Sequence, residues 1–357
     1  MSRPLPTPAE IAAALGRRVI GQATAVREMA VALAKHLSGV GAGNILMIGS
    51  SGTGKTTLMR AVEGYLAADD ELAERSTLVR IHANVLAQDA ERGRPGEAVL
   101  TRLLARAREQ LGEGAPLADL LPRVGRGIVF VDEVNKIRAR VDDQPSVPGI
   151  RAQEALLTLI ENEAVPFELP AWAGGGALRI DSSGLLFVCA GAFEGLYDAV
   201  YDRVTIGSDR GALRPVTRVE AGEVSEETPF ALRDWVRNDD LFDYGMTPQF
   251  LSRFDAVVIL EDLGVDELVR IFLEAPESGF QQSRAFFQSR KIHLAISPAA
   301  VRRIAQAARR QPRLGARALK EIFRRVIGEF EFDPASAPTG AGGALLIDTA
   351  EVEAALR

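Results

Sequence analysis

Among 357 residues there is one cysteine, Cys189, and there are three histidines. A lone thiol forms no internal disulfide, and so few soft ligands argue against a structural zinc site. A reducing, cytoplasmic setting is the expectation. No apolar run reaches the roughly 18 residues of a membrane-spanning helix, and Met1 to Ile11 lacks the basic start and apolar core of a signal peptide. A membrane partner is therefore not expected. Positive charge is short as well: 42 Lys and Arg against 48 Asp and Glu give a net charge of -6. General attraction to phosphate backbones is excluded on that balance, and no nucleic-acid partner is expected. Internal repeats and low-complexity tails are absent, and 47% hydrophobic with 25% charged residues is an ordinary globular composition.

At roughly 150 residues per domain the chain has room for two domains. Short runs that are apolar on both faces occur at Ile45–Ile48, Leu78–Ile81, Ile128–Val131, Leu185–Cys189 and Ala256–Leu260. Such runs suit central strands covered by helices on both sides. Helical spacing at Ala23–Leu37, Glu97–Gln110 and Ala152–Asn162 supplies crossover connections. The expectation is a five-stranded parallel α/β sheet. Beyond Leu263 helical patterns dominate, at Val265–Leu273, Ser297–Arg310 and Ala316–Phe332, with Ser297 as N-cap ahead of Pro298. We therefore divide the chain into a large domain, 1–264, and a small helical domain, 265–357. Asp333–Gly343 reads as a surface loop before a terminal strand, Leu345–Ile347.

Gly49-Ser50-Ser51-Gly52-Thr53-Gly54-Lys55-Thr56 fits G-x-x-x-x-G-K-[ST] and lies between a strand and a helix. Glycines let successive N–H groups converge on phosphate oxygens, and the following helix adds its positive end. A glycine-rich turn that binds nothing needs neither the lysine nor that context. Lys55 is assigned to the β- and γ-phosphates of ATP, and the Thr56 hydroxyl to Mg²⁺. Gly49, Ser51, Gly52, Thr53, Gly54 and Thr57 complete this candidate set. The second element is Ile128-Val129-Phe130-Val131-Asp132-Glu133, an apolar strand ending in two carboxylates. Alone, such a pair reads as a solvated helix start; at a strand end after a phosphate loop it calls for a cation and water. Asp132 is then the Mg²⁺-side carboxylate and Glu133 the general base for the attacking water.

From these motifs the chain resembles the ClpX-type AAA+ ATPases, the ring-forming unfoldases of the Clp/HslU branch. Val19-Ile20-Gly21-Gln22 is similar to the segment that packs around adenine, and Val131-Asp132-Glu133-Val134-Asn135-Lys136-Ile137 to the extended second motif. Ala155–Glu161 and Leu185–Phe193 resemble segments farther along the large domain. The resemblance implies an AAA+ large domain followed by a small lid. It makes Val19 and Ile20 nucleotide contacts, Arg253 the arginine finger that reaches a neighbour's nucleotide, and Arg317 the lid arginine that senses phosphate. Without it, both arginines read as solvated helix residues. A finger acting in trans implies a closed ring, by resemblance a homo-hexamer.

Three departures qualify the resemblance. Between Gly93 and Gly96, where the family carries an aromatic grip on a pore loop, this chain has Arg94 and Pro95. A guanidinium grips apolar chain less well than tyrosine, so a specific partner is expected, with a solvated turn as the plain alternative. Thr205-Ile206-Gly207-Ser208 stands where the family's peptidase-docking Ile-Gly-Phe lies. Ser208 supplies no apolar anchor, which disfavours a ClpP-like peptidase. The family's zinc-binding N-terminal domain has no counterpart in this sequence. Pro166–Gly176 reads as a long loop whose Trp172 either recognises a partner or packs on its own domain. The expected function is an ATP-hydrolysing ring that remodels a specific protein client without a peptidase. A nucleotide-gated scaffold and a conventional unfoldase subunit of an ATP-dependent protease are the alternatives.

Overall fold

The computed structural model describes residues 4–41, 43–161, 164–207, 209, 213, 216–220, 223–227, 230–311, 314–335, 338 and 344–357. Backbone contacts divide the chain into two compact units: 1–15, 24–48 and 59–261 form the first, and 16–23, 49–58 and 262–357 the second.

The first unit is built on a parallel sheet of β1 (Asn44–Ile48), β2 (Leu78–His82), β3 (Ile128–Asp132), β4 (Leu186–Gly191) and β5 (Phe254–Ile259), in the order β5-β1-β4-β3-β2. All five expected strands form. Every residue of β4 is buried, as are Ile128 to Val131 of β3. Strands covered on both faces have no solvent side to mark with polar residues, which is why their sequences run apolar without alternation. Phe130 and Phe187 are fully buried, and the helices Glu97–Leu111 and Val147–Glu161 add Leu103, Leu104, Leu156 and Leu159 to the core.

The second of these helices begins at Val147, ahead of the apolar pattern that starts at Ala152. Pro148 sits in its first turn, where the missing N–H has no partner to lose, and the Ser146 hydroxyl accepts from Gly149 N (3.4 Å). The stretch read as a long loop is in part a hairpin: Val165–Glu168 pairs antiparallel with Ala177–Ile180, and only its tip is irregular. Four residues per strand are too few to reveal a period.

In the second unit, Val265–Glu274, Gly279–Gln288, Pro298–Arg309 and Ala316–Phe332 are helices. They enclose Phe272, Phe280 and Phe323, with ring centroids 5.0 to 6.1 Å apart. The Ser297 hydroxyl accepts from Ala300 N (3.2 Å), the cap its position predicts. The terminal strand runs Ala344–Ile347 and pairs in parallel with His293–Ile296. That partner strand is invisible locally, because its pairing comes from residues far along the chain. No helix among the described residues is long and apolar enough to cross a membrane.

Candidate nucleotide-hydrolysis site

Strand β1 ends at Ile48, and the glycine-rich loop follows. Gly52 and Gly54 have φ of +77° and +109°, conformations a side chain resists. The loop is braced from within the second unit. Gln22 Nε2 donates to Thr53 O (2.9 Å), and Thr53 Oγ1 to Ser50 O (2.9 Å). The first bond closing the helix Lys55–Ala67 is Leu58 N to Gly54 O (2.8 Å), so the N–H groups of Lys55, Thr56 and Thr57 precede the intrahelical ladder. Lys55 Nζ donates back to Ser50 O (2.8 Å) and to Gly49 O. A flexible ammonium held by two loop carbonyls stays beside the loop.

Two other segments of the second unit lie against this loop or beside its brace. Ala316 N donates to Gly52 O (3.2 Å), and a Cβ on Gly52 would stand 2.2 Å from Leu314 O. The helix Ala316–Phe332 therefore starts on the loop, with the exposed Arg317 in its first turn. Gly21 packs on Leu263 and Glu267, leaving Val19 buried and Ile20 partly so. Gln22 belongs to the segment that resembles the adenine-side motif, but its bond to the loop, like the Leu314-Gly315 contact, has no signature in the sequence.

In the first unit, Asp132 closes β3 with a half-buried side chain, and its Oδ1 accepts from Glu133 N (2.9 Å). Arg80 Nη2 lies 4.0 Å from Asp132 Oδ2. Glu133 takes φ +59°, the left-handed region that costs a non-glycine residue about 1–3 kcal/mol. Its carboxylate sits 2.8 Å from Lys136 Nζ, whose pKa that hydrogen bond raises. Asn135, next in the chain to Lys136, reaches the residue that follows β4: its Oδ1 accepts from Ala192 N (3.1 Å). No cluster of three or more His, Cys, Asp or Glu able to hold a metal occurs among the described residues. A single carboxylate such as Asp132 is the kind of protein ligand Mg²⁺ takes, one or two of them with phosphate and water completing the shell.

Arg253 follows the short helix Pro248–Leu251, capped by the Thr247 hydroxyl accepting from Phe250 N (3.3 Å). The cap is locked by Gln153, buried in the helix Val147–Glu161. Its Oε1 accepts from Thr247 N (2.9 Å) and Thr247 Oγ1 (2.8 Å), while its Nε2 donates to Ile137 O and Gly245 O (2.8 and 3.1 Å). Asn44 Nδ2 donates to Arg253 O (3.1 Å). The backbone at Arg253 is thus fixed from two sides, whereas among the described residues the guanidinium pairs only with Glu161, both side chains being nearly half exposed. Such a surface pair contributes about 0–1 kcal/mol. Gln153 and Asn44 carry no motif signature, and sequence reasoning passed over them.

Arg94 is not a free turn residue. It bridges Glu97 and Glu168, each at 3.0 Å, and so ties its loop to the Val165–Glu168 strand. The next glycine is required: Gly96 has φ +82°, and a Cβ there would lie 2.4 Å from Leu159. As Gly96 has no side chain to cap the helix behind it, buried Asp89 does so, accepting from Ala98 N (2.8 Å); burial raises its pKa. Gly96→Ala is expected to lower stability by about 1–3 kcal/mol in denaturant unfolding.

Trp172, 43% exposed, has the Arg108 guanidinium 4.5 Å from its ring centre, so it stacks on its own unit. Ile206 and Gly207 finish the helix Leu196–Thr205, both donating to Asp202 O (2.9 Å). Ser208 lies outside the described residues. Arg203 holds this corner with bonds to Asp240 (2.8 Å), Trp235 O (2.6 Å) and Asp209. Cys189 is fully buried and its thiol pKa is pushed up, which leaves it a small apolar core residue. His82, at the end of β2, is exposed.

A parallel sheet of this order, with a phosphate loop after β1 and paired carboxylates at the end of β3, defines a P-loop nucleotide-binding protein. Residues 41–257, more than half the chain, match the model of the AAA domain (Cdc48 subfamily), and the chain belongs to that family. Within it the chain is of ClpX type. It is 28% identical over 352 residues to the ATP-dependent Clp protease ATP-binding subunit ClpX of Treponema denticola, covering 93% of this chain and 78% of that one. The proteins of the same name from Porphyromonas gingivalis and Bacteroides fragilis are each 29% identical, with 99% and 92% of this chain and 83% and 77% of theirs covered.

Proposed function

We propose that the chain hydrolyses ATP at a seam between copies in a hexameric ring and uses the cycle to remodel a specific protein client without a peptidase. Its large domain is taken as 1–264 and its lid as 265–357. In this reading Lys55 and the loop from Gly49 to Thr57 bind the triphosphate, with Val19 and Ile20 on the base and Arg317 as lid sensor. Thr56 and Asp132 would hold Mg²⁺, which neutralises phosphate charge when bound. Glu133 takes a proton from the attacking water, and Arg253 of a neighbouring copy stabilises the charge that gathers on the departing γ-phosphoryl group.

The observation that carries the reading is Arg253. Its backbone is immobilised through Asn44 and the Gln153–Thr247 cap, while its guanidinium is half exposed on a weak partner. A residue serving only its own fold needs no such rigid mount for an exposed charge; one delivered to another copy does.

Independence from a peptidase is supported by Ile206 and Gly207, which end a helix anchored by Arg203. A second reading, a conventional unfoldase subunit, is favoured by the relatives, whose name is that of a protease's ATP-binding subunit. Adding a ClpP-like peptidase and a labelled client separates the two: the proposal expects ATP-dependent change in the client's assembly state and no proteolysis. ATP-dependent degradation would establish the second reading. A nucleotide-gated scaffold would still act when Glu133→Gln locks it with ATP bound, whereas a motor would stall. Arg94→Ala is expected to slow client remodelling several-fold; an unchanged rate would remove this loop from the account.

A further inference from the structure

The first unit has a cavity of about 810 Å³ at the amino edge of its sheet, opposite the edge where Asp132 lies. Its wall is formed by residues that lead into strands: Gly41 ahead of β1, Arg126 ahead of β3, and Ser183 to Leu185 ahead of β4. The volume falls within the roughly 300–1,000 Å³ of ligand sites, and none of the residues assigned to nucleotide chemistry lines it.

The charge of this cavity inverts that of the molecule. The chain carries -6 overall, yet Arg75, Arg123, Arg126 and Arg179 line the cavity against two carboxylates, Glu74 and Asp181. Arg75 is paired with Glu71 (3.2 Å), and Arg179 donates to Ala164 O (2.6 Å). Arg123 and Arg126 have no carboxylate partner among the described residues. His36 adds no charge near neutral pH, because burial pushes its pKa down; its Nε2 lies 3.0 Å from Arg126 O. Asp181 stays ionised, as hydrogen bonds from Ser183 hold its pKa low.

The ligand must therefore be anionic, and the lining narrows its class. No Phe, Tyr or Trp lines the cavity, so a nucleobase finds no large aromatic face to stack on. Glu74 and Asp181 oppose the dense charge of a polyphosphate, whereas the spaced carboxylates of a peptide can interleave with them. Gly41 and Gly184 are exposed and leave backbone open for main-chain hydrogen bonds, and Val40, 64% exposed, offers an apolar contact at the rim. We propose that this cavity binds an acidic peptide segment of a partner protein, with its carboxylates on Arg123 and Arg126 and its main chain along the glycines. It is a docking site separate from the nucleotide site, and it stands whether or not the proposed hydrolysis does.

The test uses the full chain and a short fluorescein-labelled peptide with Glu at alternate positions, followed by fluorescence anisotropy. The expected result is saturable binding that weakens as salt is raised, and no binding by the matching Lys peptide. The double variant Arg123→Ala/Arg126→Ala should bind roughly tenfold or more weakly. Arg123→Lys/Arg126→Lys, which keeps the charge but loses the planar fork, should fall between. Equal binding by the alanine variant, or by the Lys peptide, would overturn the proposal. So would inorganic tripolyphosphate displacing the labelled peptide as well as unlabelled peptide does, since the cavity would then be a general anion site. Arg126→Glu altering the oligomeric state would also overturn it, because a second copy of the chain would be the occupant.

Discussion

Glu133→Gln is expected to bind ATP normally and to turn it over about 10²–10⁴-fold more slowly, the range a general base contributes. Glutamine keeps the shape of the side chain and still accepts from Lys136, now 2.8 Å from the Glu133 carboxylate, but it cannot take a proton from water. The left-handed backbone at residue 133 is unaltered by the change, so stability should hold. Steady-state phosphate release and equilibrium nucleotide binding, measured on the same preparation, separate lost chemistry from lost binding. A parallel loss of affinity would mean that Glu133 serves the site's structure and not its proton transfer. The ATP-locked form should also retain clients through a pull-down, which would name them.

The second large effect is that of Arg253→Ala, expected to lower turnover by about 10³–10⁵-fold, the contribution of an arginine finger. The fold loses little by it. The pair with Glu161 is nearly half exposed on both sides, and such pairs contribute about 0–1 kcal/mol. Nucleotide affinity of the isolated chain should persist, because the residues proposed to bind the phosphates, Lys55 and its loop, belong to the same chain. A thermal melt near that of the unaltered protein, alongside the loss of turnover, is the predicted combination. Turnover within a few-fold of normal would make Arg253 an ordinary surface residue.

What the sequence made legible follows from where the information is local. The strands β1, β3 and β4 and the phosphate loop are each specified by adjacent residues: apolar runs buried on both faces, glycines at positive φ, a lysine at the helix start; β2 and β5, which also read as covered on both sides, are the edge strands and are only partly buried. The Ser297–Pro298 cap is equally local, and it forms as read. By contrast, the strand His293–Ile296 exists because Ala344–Ile347 lies beside it, and no window around residue 293 contains that partner. The same holds at the site. Gln153 is a polar residue in an apolar helical pattern, and only the fold shows that its two amide atoms serve Thr247, Gly245 and Ile137. Arg94 read as an unattached cation between glycines because Glu168 is distant in sequence, and Trp172 read as ambiguous because Arg108 is. Long-range partners, not weak propensities, account for what was missed.

The central claim is that one copy supplies Glu133 and its neighbour supplies Arg253. Mixing Arg253→Ala and Glu133→Gln proteins, each inactive alone, measures this directly through ATP turnover. In a randomly mixed ring of equal parts, one seam in four joins an intact Glu133 to an intact Arg253, so activity should rise to roughly a quarter of the unaltered protein's. A mixture no more active than the sum of its two components, or an Arg253→Ala protein that hydrolyses ATP at full rate as a monomer, would contradict it.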